Sequence, residues 1–267
     1  MIHHYDHRWA TYDESGDVRD VTEVEHADPN FVVIPRYWVA SSEVRGRLDG
    51  RWEHEWLVGF RDICRSTDER TMITGAFPAV GVGNNLPIAL ASTGPSDVLS
   101  ALLSSIVFDY TARLMVGGTH MNFFLLEQLP VPIPQPFSER CIWPSANATL
   151  GSWTTERVEE LIYTSWDMAP AARDLGDDGP PFVWDPERRA TLRAELDGAF
   201  FHLYGIDRDD AEYILSTFPI ANRKDPGLAT RVLNAYDRIA DAIATSIPFT
   251  SGLDPPPGLG HRHPELP

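Results

Sequence analysis

The sequence predicts an α+β chain, a mostly antiparallel sheet with a packed helix followed by a helical domain. Three observations carry this. Short β-branched and aromatic runs, separated by turn residues and charges, fill residues 31 to 77. Apolar residues at helical spacing begin after Pro95 and recur beyond residue 150. Between them, Leu129-Pro-Val-Pro-Ile-Pro-Gln-Pro136 is held extended by its prolines and marks a boundary. The expected organisation is an α+β domain over 1–135, a helical domain over 136–247 and a disordered tail over 248–267.

Taken in order, residues 13 to 28 are strongly acidic and read as a solvated loop or edge. Strands are expected at Phe31–Ile34 and Tyr37–Val39, with Pro35 forcing an edge or bulge, then at Trp56–Phe60 and from Thr71 to Phe77. Gly81-Val-Gly-Asn-Asn85 reads as a tight turn between strands. A helix is expected from Ser96, its N-cap, through Tyr110, stopping at Gly117-Gly118. Phe123–Leu126 reads as a short strand. Thr154 or Thr155 is expected to cap a helix reaching Trp166, and residues 169 to 183 to form a loop. Asp185-Pro186-Glu187 combines an acidic cap with proline at the first helical position. That helix is expected to end at Gly205, followed by a shorter one around Ala211–Phe218 and a last one over Leu228–Ala244.

Composition narrows the function classes. The chain has 267 residues and a formal net charge of −17, which argues against an indiscriminate nucleic-acid binder. It does not exclude a DNA reader, because binding follows local potential. No apolar run approaches the roughly 20 residues of a membrane span, so no membrane partner is expected. Two cysteines, Cys64 and Cys141, lack disulfide or metal spacing, which points to a reducing cytoplasm. There is no glycine-rich cofactor loop after a strand, no nucleophile motif and no His-Glu-x-x-His pair. No catalytic motif is visible in this chain.

Six blocks occur in a fixed order. They are Met1-Ile-His-His-Tyr-Asp-His-Arg-Trp-Ala-Thr-Tyr12, Arg61-Asp-Ile-Cys-Arg-Ser-Thr-Asp-Glu-Arg70 with the following Thr71 to Asn85, and Val107-Phe-Asp-Tyr-Thr-Ala-Arg113. Then come Gly117-Gly-Thr-His-Met-Asn122, Leu129-Pro-Val-Pro-Ile-Pro134, and Leu203-Tyr-Gly-Ile-Asp-Arg-Asp-Asp-Ala-Glu-Tyr-Ile-Leu215. In that order they resemble the C-terminal target-recognition region of type IIG restriction–modification enzymes and N6-adenine DNA methyltransferases, some of them from phage defence. The resemblance covers most of residues 1 to 240. It implies a specificity domain for double-stranded DNA, with a helical part behind it. It also implies a catalytic methyltransferase domain or subunit as partner, which holds S-adenosylmethionine and the Asn/Asp-Pro-Pro-Tyr motif; neither lies in this chain. Met1 falls inside the family's junction block, so a split gene, a truncated remnant or a late-assigned start codon is the expectation.

A DNA-facing loop is expected at Arg113, Gly117, Gly118, Thr119, His120 and Asn122, where glycines allow close approach and polar side chains suit phosphates or base edges, against the alternative of a helix C-cap and a turn whose polar residues satisfy local backbone. Arg61, Arg65 and Arg70 are a candidate phosphate-binding strip, against the alternative that interleaved acids pair with them. Residues 36 to 70 hold seven basic and seven acidic groups, so Arg36, Arg45, Arg47 and Arg51 face the same alternative. Trp38, Trp52 and Trp56 read as half-buried sheet residues sooner than base-stacking ones. The opening His3, His4, Asp6 and His7 read as a packing segment; a metal site would need His3 and His7 on one helical face. Two further readings stand beside DNA recognition. One is an acidic interaction module, or remnant, that binds a separate methyltransferase subunit. The other is an acidic DNA mimic.

Overall fold

The computed structural model describes residues 1–91, 95–132, 135–143 and 149–265. The chain is α+β. β1 (Ala10–Tyr12) pairs antiparallel with β2 (Val18–Asp20), and α1 (Glu23–Ala27) follows. α2 (Ser41–Leu48) leads to β3 (Trp56–Phe60), β4 (Thr74–Pro78) and β5 (Ile88–Ala89). These three form an antiparallel sheet in the order β4-β3-β5. The helices are α3 (Ser96–Ser104), α4 (Ile106–Met115), α5 (Phe123–Leu126), α6 (Gln135–Ser138), α7 (Leu150–Ile162) and α8 (Ala169–Leu175). α9 (Pro186–Leu203), α10 (Arg208–Ser216), α11 (Pro219–Lys224) and α12 (Leu228–Thr245) complete the set.

β3 is buried along its whole length, so both faces of the sheet are covered. Trp56, Val58 and Phe60 face the main core with α3 and α4; Leu57 and Phe77 face a smaller cluster with Ile2, flanked by Leu48, Trp52 and Ile88. This follows from the period-two alternation of a strand. The main cluster runs from Tyr5 and Trp56 through Phe200 to Ile239, across the expected boundary at residue 135.

Several local readings are corrected. Residues 31 to 39 form no strand: the run is irregular and bends at 36 and 37, with Ile34 O accepting from Tyr12 N at 3.1 Å, and Trp38 is exposed rather than half-buried in a sheet. The helix after Pro95 breaks at Ser105, whose hydroxyl accepts from Phe108 N and caps α4; the two helices bend by 64°. Phe123–Leu126 is one helical turn capped by Asn122, not a strand. α7 starts earlier than expected, capped by Thr149, and the 169–183 loop contains α8, with proline at its start. α9 begins as expected, Asp185 accepting from Glu187 N and Arg188 N.

The segment after α12 is bound rather than loose. Phe249 and Leu253 pack on the core, and Trp153 meets the Phe249 ring edge-on at 5.9 Å. Glu195 accepts from Ser251 and Gly252, Glu160 from Gly258 N, and Arg262 pairs with Asp177 at 2.5 Å. These are charged contacts made across long sequence separations, which a glycine- and proline-rich composition does not reveal. Residues 133–134 of the proline track, and 266–267 of the tail, lie outside the described residues.

Candidate functional site

Two stretches that are more than fifty residues apart in sequence meet at one edge. Beyond β3 the chain continues as 61–65 and is zipped to 119–121. Cys64 N donates to Thr119 O at 3.0 Å, Met121 N donates to Asp62 O at 2.7 Å, and Ile63 and His120 form an antiparallel bridge. Alternation sorts the side chains. Cys64 and Met121 are buried, while Ile63, Arg65, Thr119 and His120 face outward. His120 Nδ1 lies 2.7 Å from Asp62 Oδ2, which orients an imidazole that is otherwise 58% exposed. Arg61 and Arg65 have no side-chain hydrogen bond or ion pair among the described residues; Arg61 is half-buried and Arg65 exposed.

Arg70 and Arg113 stand behind this edge. Asp109 is fully buried and accepts from Thr71 N at 3.0 Å, from Met72 N at 2.8 Å and from Arg70 Nε. Arg70 also donates to Ser104 O at 2.6 Å. Arg113 donates to Thr217 O at 2.8 Å and to Asp68 O at 2.8 Å, and its guanidinium lies 4.0 Å from the Phe218 ring centroid. Burial lowers the pKa of Arg113. Both guanidinium groups are therefore spent on holding the 65–72 loop against α4 and the end of α10. Most of their donors are used inside the fold, so Arg113 and Arg70 serve this loop where the expectation placed them on DNA.

Gly117 and Gly118 are exposed, and a Cβ at either would meet nothing within 4 Å. Neither has positive φ; α4 ends instead through Val116 at φ −79°. The glycines are therefore not required for the local turn, and they leave open space over the loop. Asn122 uses Oδ1 to accept from Leu125 N at 3.0 Å, and its side-chain amide N–H groups have no partner among the described residues. Phe123, Phe124, Leu114 and Met115 flank the loop, all exposed.

The opening histidines sit elsewhere. The segment is a tight turn, not a helix, with His3 bridged to Asp6 and Tyr5 at φ 57°. His7 Nε2 lies 3.0 Å from Asp167 Oδ2, and His26 Nε2 3.1 Å from Asp6 Oδ2. Arg8, fully buried, donates to the carbonyls of Asp28 and His26 at 2.9 Å and of Thr164 at 3.2 Å. Burial works to raise the Asp6 pKa, but the His26 hydrogen bond and the Arg189 charge prevail and hold it at about 2. Burial and nearby Arg70 and Arg193 bring His3 down to about 3. This is an ionic layer inside the fold; among the described residues no group of three or more His, Cys, Asp or Glu is placed to hold a metal. The signal available in the sequence was the density of titratable groups, but their partners lie up to 160 positions away.

Comparison of the chain with family models, with curated proteins and with solved structures returns no match.

Proposed function

We propose that this chain is the DNA-sequence-recognition portion of an N6-adenine methyltransferase or restriction–modification enzyme, without catalysis of its own. The observation that carries the reading is the pairing of 61–65 with 119–121. It unites, on one surface, two stretches that the resemblance separately pointed to. Arg61 and Arg65 supply phosphate contacts, which set register. Thr119, His120 and Asn122 supply the donors and acceptors that read base edges, and one good bidentate contact contributes about 1–3 kcal/mol of discrimination. The catalytic partner binds S-adenosylmethionine, extrudes the adenine, and provides the positive charge that a chain of net charge −17 lacks. Selection from a pool of randomised duplexes tests this. An enriched motif that is relaxed by His120→Ala or Asn122→Ala supports it; a pool that stays random overturns it.

A second reading draws on the exposed Leu114, Phe123 and Phe124 beside the same loop. Apolar side chains gathered in this way suit docking to a separate methyltransferase subunit. Co-purification with that subunit, with no DNA affinity at any salt, would favour it.

A further inference from the structure

α2 stands on the outer side of the sheet, away from the main core. Val44 and Leu48 are its half-buried positions, and Leu48 with Trp52, just beyond the helix, joins the cluster around Leu57 and Phe77. Arg45, Arg47 and Arg51 are all exposed, as is Arg36 just upstream. None of the four makes an ion pair among the described residues. Arg45 only approaches Ser41 Oγ at 3.4 Å, and Arg36 lies 5.5 Å from the centroid of the Tyr37 ring. The interleaved Glu43 and Asp49 leave these cations free, contrary to the pairing that the composition suggested. Between residues 36 and 52 the four arginines outnumber those two acids, in a chain whose net charge is −17.

Two aromatic rings lie on the chain just ahead of α2. Tyr37 is 76% and Trp38 81% exposed, and no ring of the described residues stacks on Trp38. A large aromatic left in water among uncompensated arginines combines flat apolar faces with positive charge. We propose that Arg36, Tyr37, Trp38, Arg45, Arg47 and Arg51 form a second surface that binds single-stranded nucleic acid. The charge complements phosphates, and arginine suits them through its forked donors. The rings require an unpaired base, because in a duplex both faces of every base are covered by its neighbours. The strip is linked to the 61–65 edge by one loop. The Val39 side chain lies against Gly81, where an added Cβ would come within 3.0 Å of it, and Asn85 O accepts from Asp62 N at 3.0 Å.

The test uses the full chain and two fluorescein-labelled probes, an oligothymidine of about 12 nucleotides and a mixed-sequence duplex, read by anisotropy at low salt. The oligothymidine is expected to bind. Trp38→Ala weakens it roughly tenfold, as loss of one stacked base does, while Trp38→Phe retains most of the affinity. Arg45→Ala with Arg47→Ala weakens it and flattens its salt dependence. The side chains replaced are exposed, and circular dichroism checks that the fold persists. The proposal is overturned if oligothymidine does not bind, if Trp38→Ala binds it like the parent, or if the strip instead binds phosphatidylglycerol vesicles. Failure of the duplex reading has a different signature: oligothymidine binding persists and stays sensitive to Trp38→Ala, while the duplex does not bind.

Discussion

Replacing Asp109 with alanine removes the group on which the 65–72 loop is built. The carboxylate is fully buried and compensates the Arg70 guanidinium while accepting from two backbone N–H groups, those of Thr71 and Met72. Alanine leaves a half-buried cation without its counter-charge and two buried donors without acceptors. Breaking one side of a buried ion pair costs about 3–5 kcal/mol, and each orphaned donor adds about 1–3 kcal/mol unless the loop moves to reach water. Relaxation of the loop is the cheaper route, so the expected loss is about 3–5 kcal/mol, read as a lower urea midpoint at unchanged slope. Asp109→Asn keeps one acceptor oxygen and is expected to fall between the parent and alanine. A loss below about 1 kcal/mol for Asp109→Ala would refute the claim that this carboxylate organises the loop.

Stability is expected to depend on pH through Glu159. Burial, then the neighbouring Asp177 carboxylate, push its carboxyl up to about 8 from the ordinary 4.5. The folded state therefore holds a proton that the unfolded chain has released, so stability falls as pH rises from about 4.5 through about 8. The loss is on the order of 2 kcal/mol after solvent screening. Glu159→Gln is expected to remove most of it, and thermal melts at acid, neutral and alkaline pH check this. Two glycines should respond oppositely to alanine. At Gly198 a Cβ would come 2.9 Å from Tyr236 N and 3.1 Å from Ala235 Cβ, between α9 and α12, and should cost about 1–3 kcal/mol in urea unfolding. Gly117→Ala meets open space and should stay within about 0.5 kcal/mol of the parent.

Local signals were legible where they were strong. The Asp185-Pro186 start of α9, the apolar spacing of α12 and the aromatic and apolar run of β3 all identify their elements. Where a run is short, pattern fails. Phe123–Leu126 has too few residues to distinguish periods of two and 3.6, although Asn122 in front of it was a readable cap. Residues 31–39 have strand-like composition but form only one backbone bond to β1 and no ladder, and a strand is defined by its ladder. Ser105 splits α3 from α4 by capping from within an apolar stretch, where a serine reads as a surface position. At the candidate site, the outward residues of 117–122 were legible as polar and flexible. The separation of Arg61 and Arg65 from Arg70 and Arg113 was not. It depends on Asp109, Thr217 and Phe218, which the sequence gives no reason to place nearby.

The central claim is that Arg61 and Arg65, beside the Thr119–Asn122 loop, contact duplex phosphates. The most direct measurement is the salt dependence of binding to a mixed-sequence duplex for the parent chain and for the Arg61→Ala, Arg65→Ala double variant. The account predicts that log affinity falls linearly with log salt, and that the double variant lowers the magnitude of the slope by about 2, roughly 0.9 for each lost phosphate contact. A duplex that fails to bind at any salt, or a slope unchanged by removing both arginines, would contradict it.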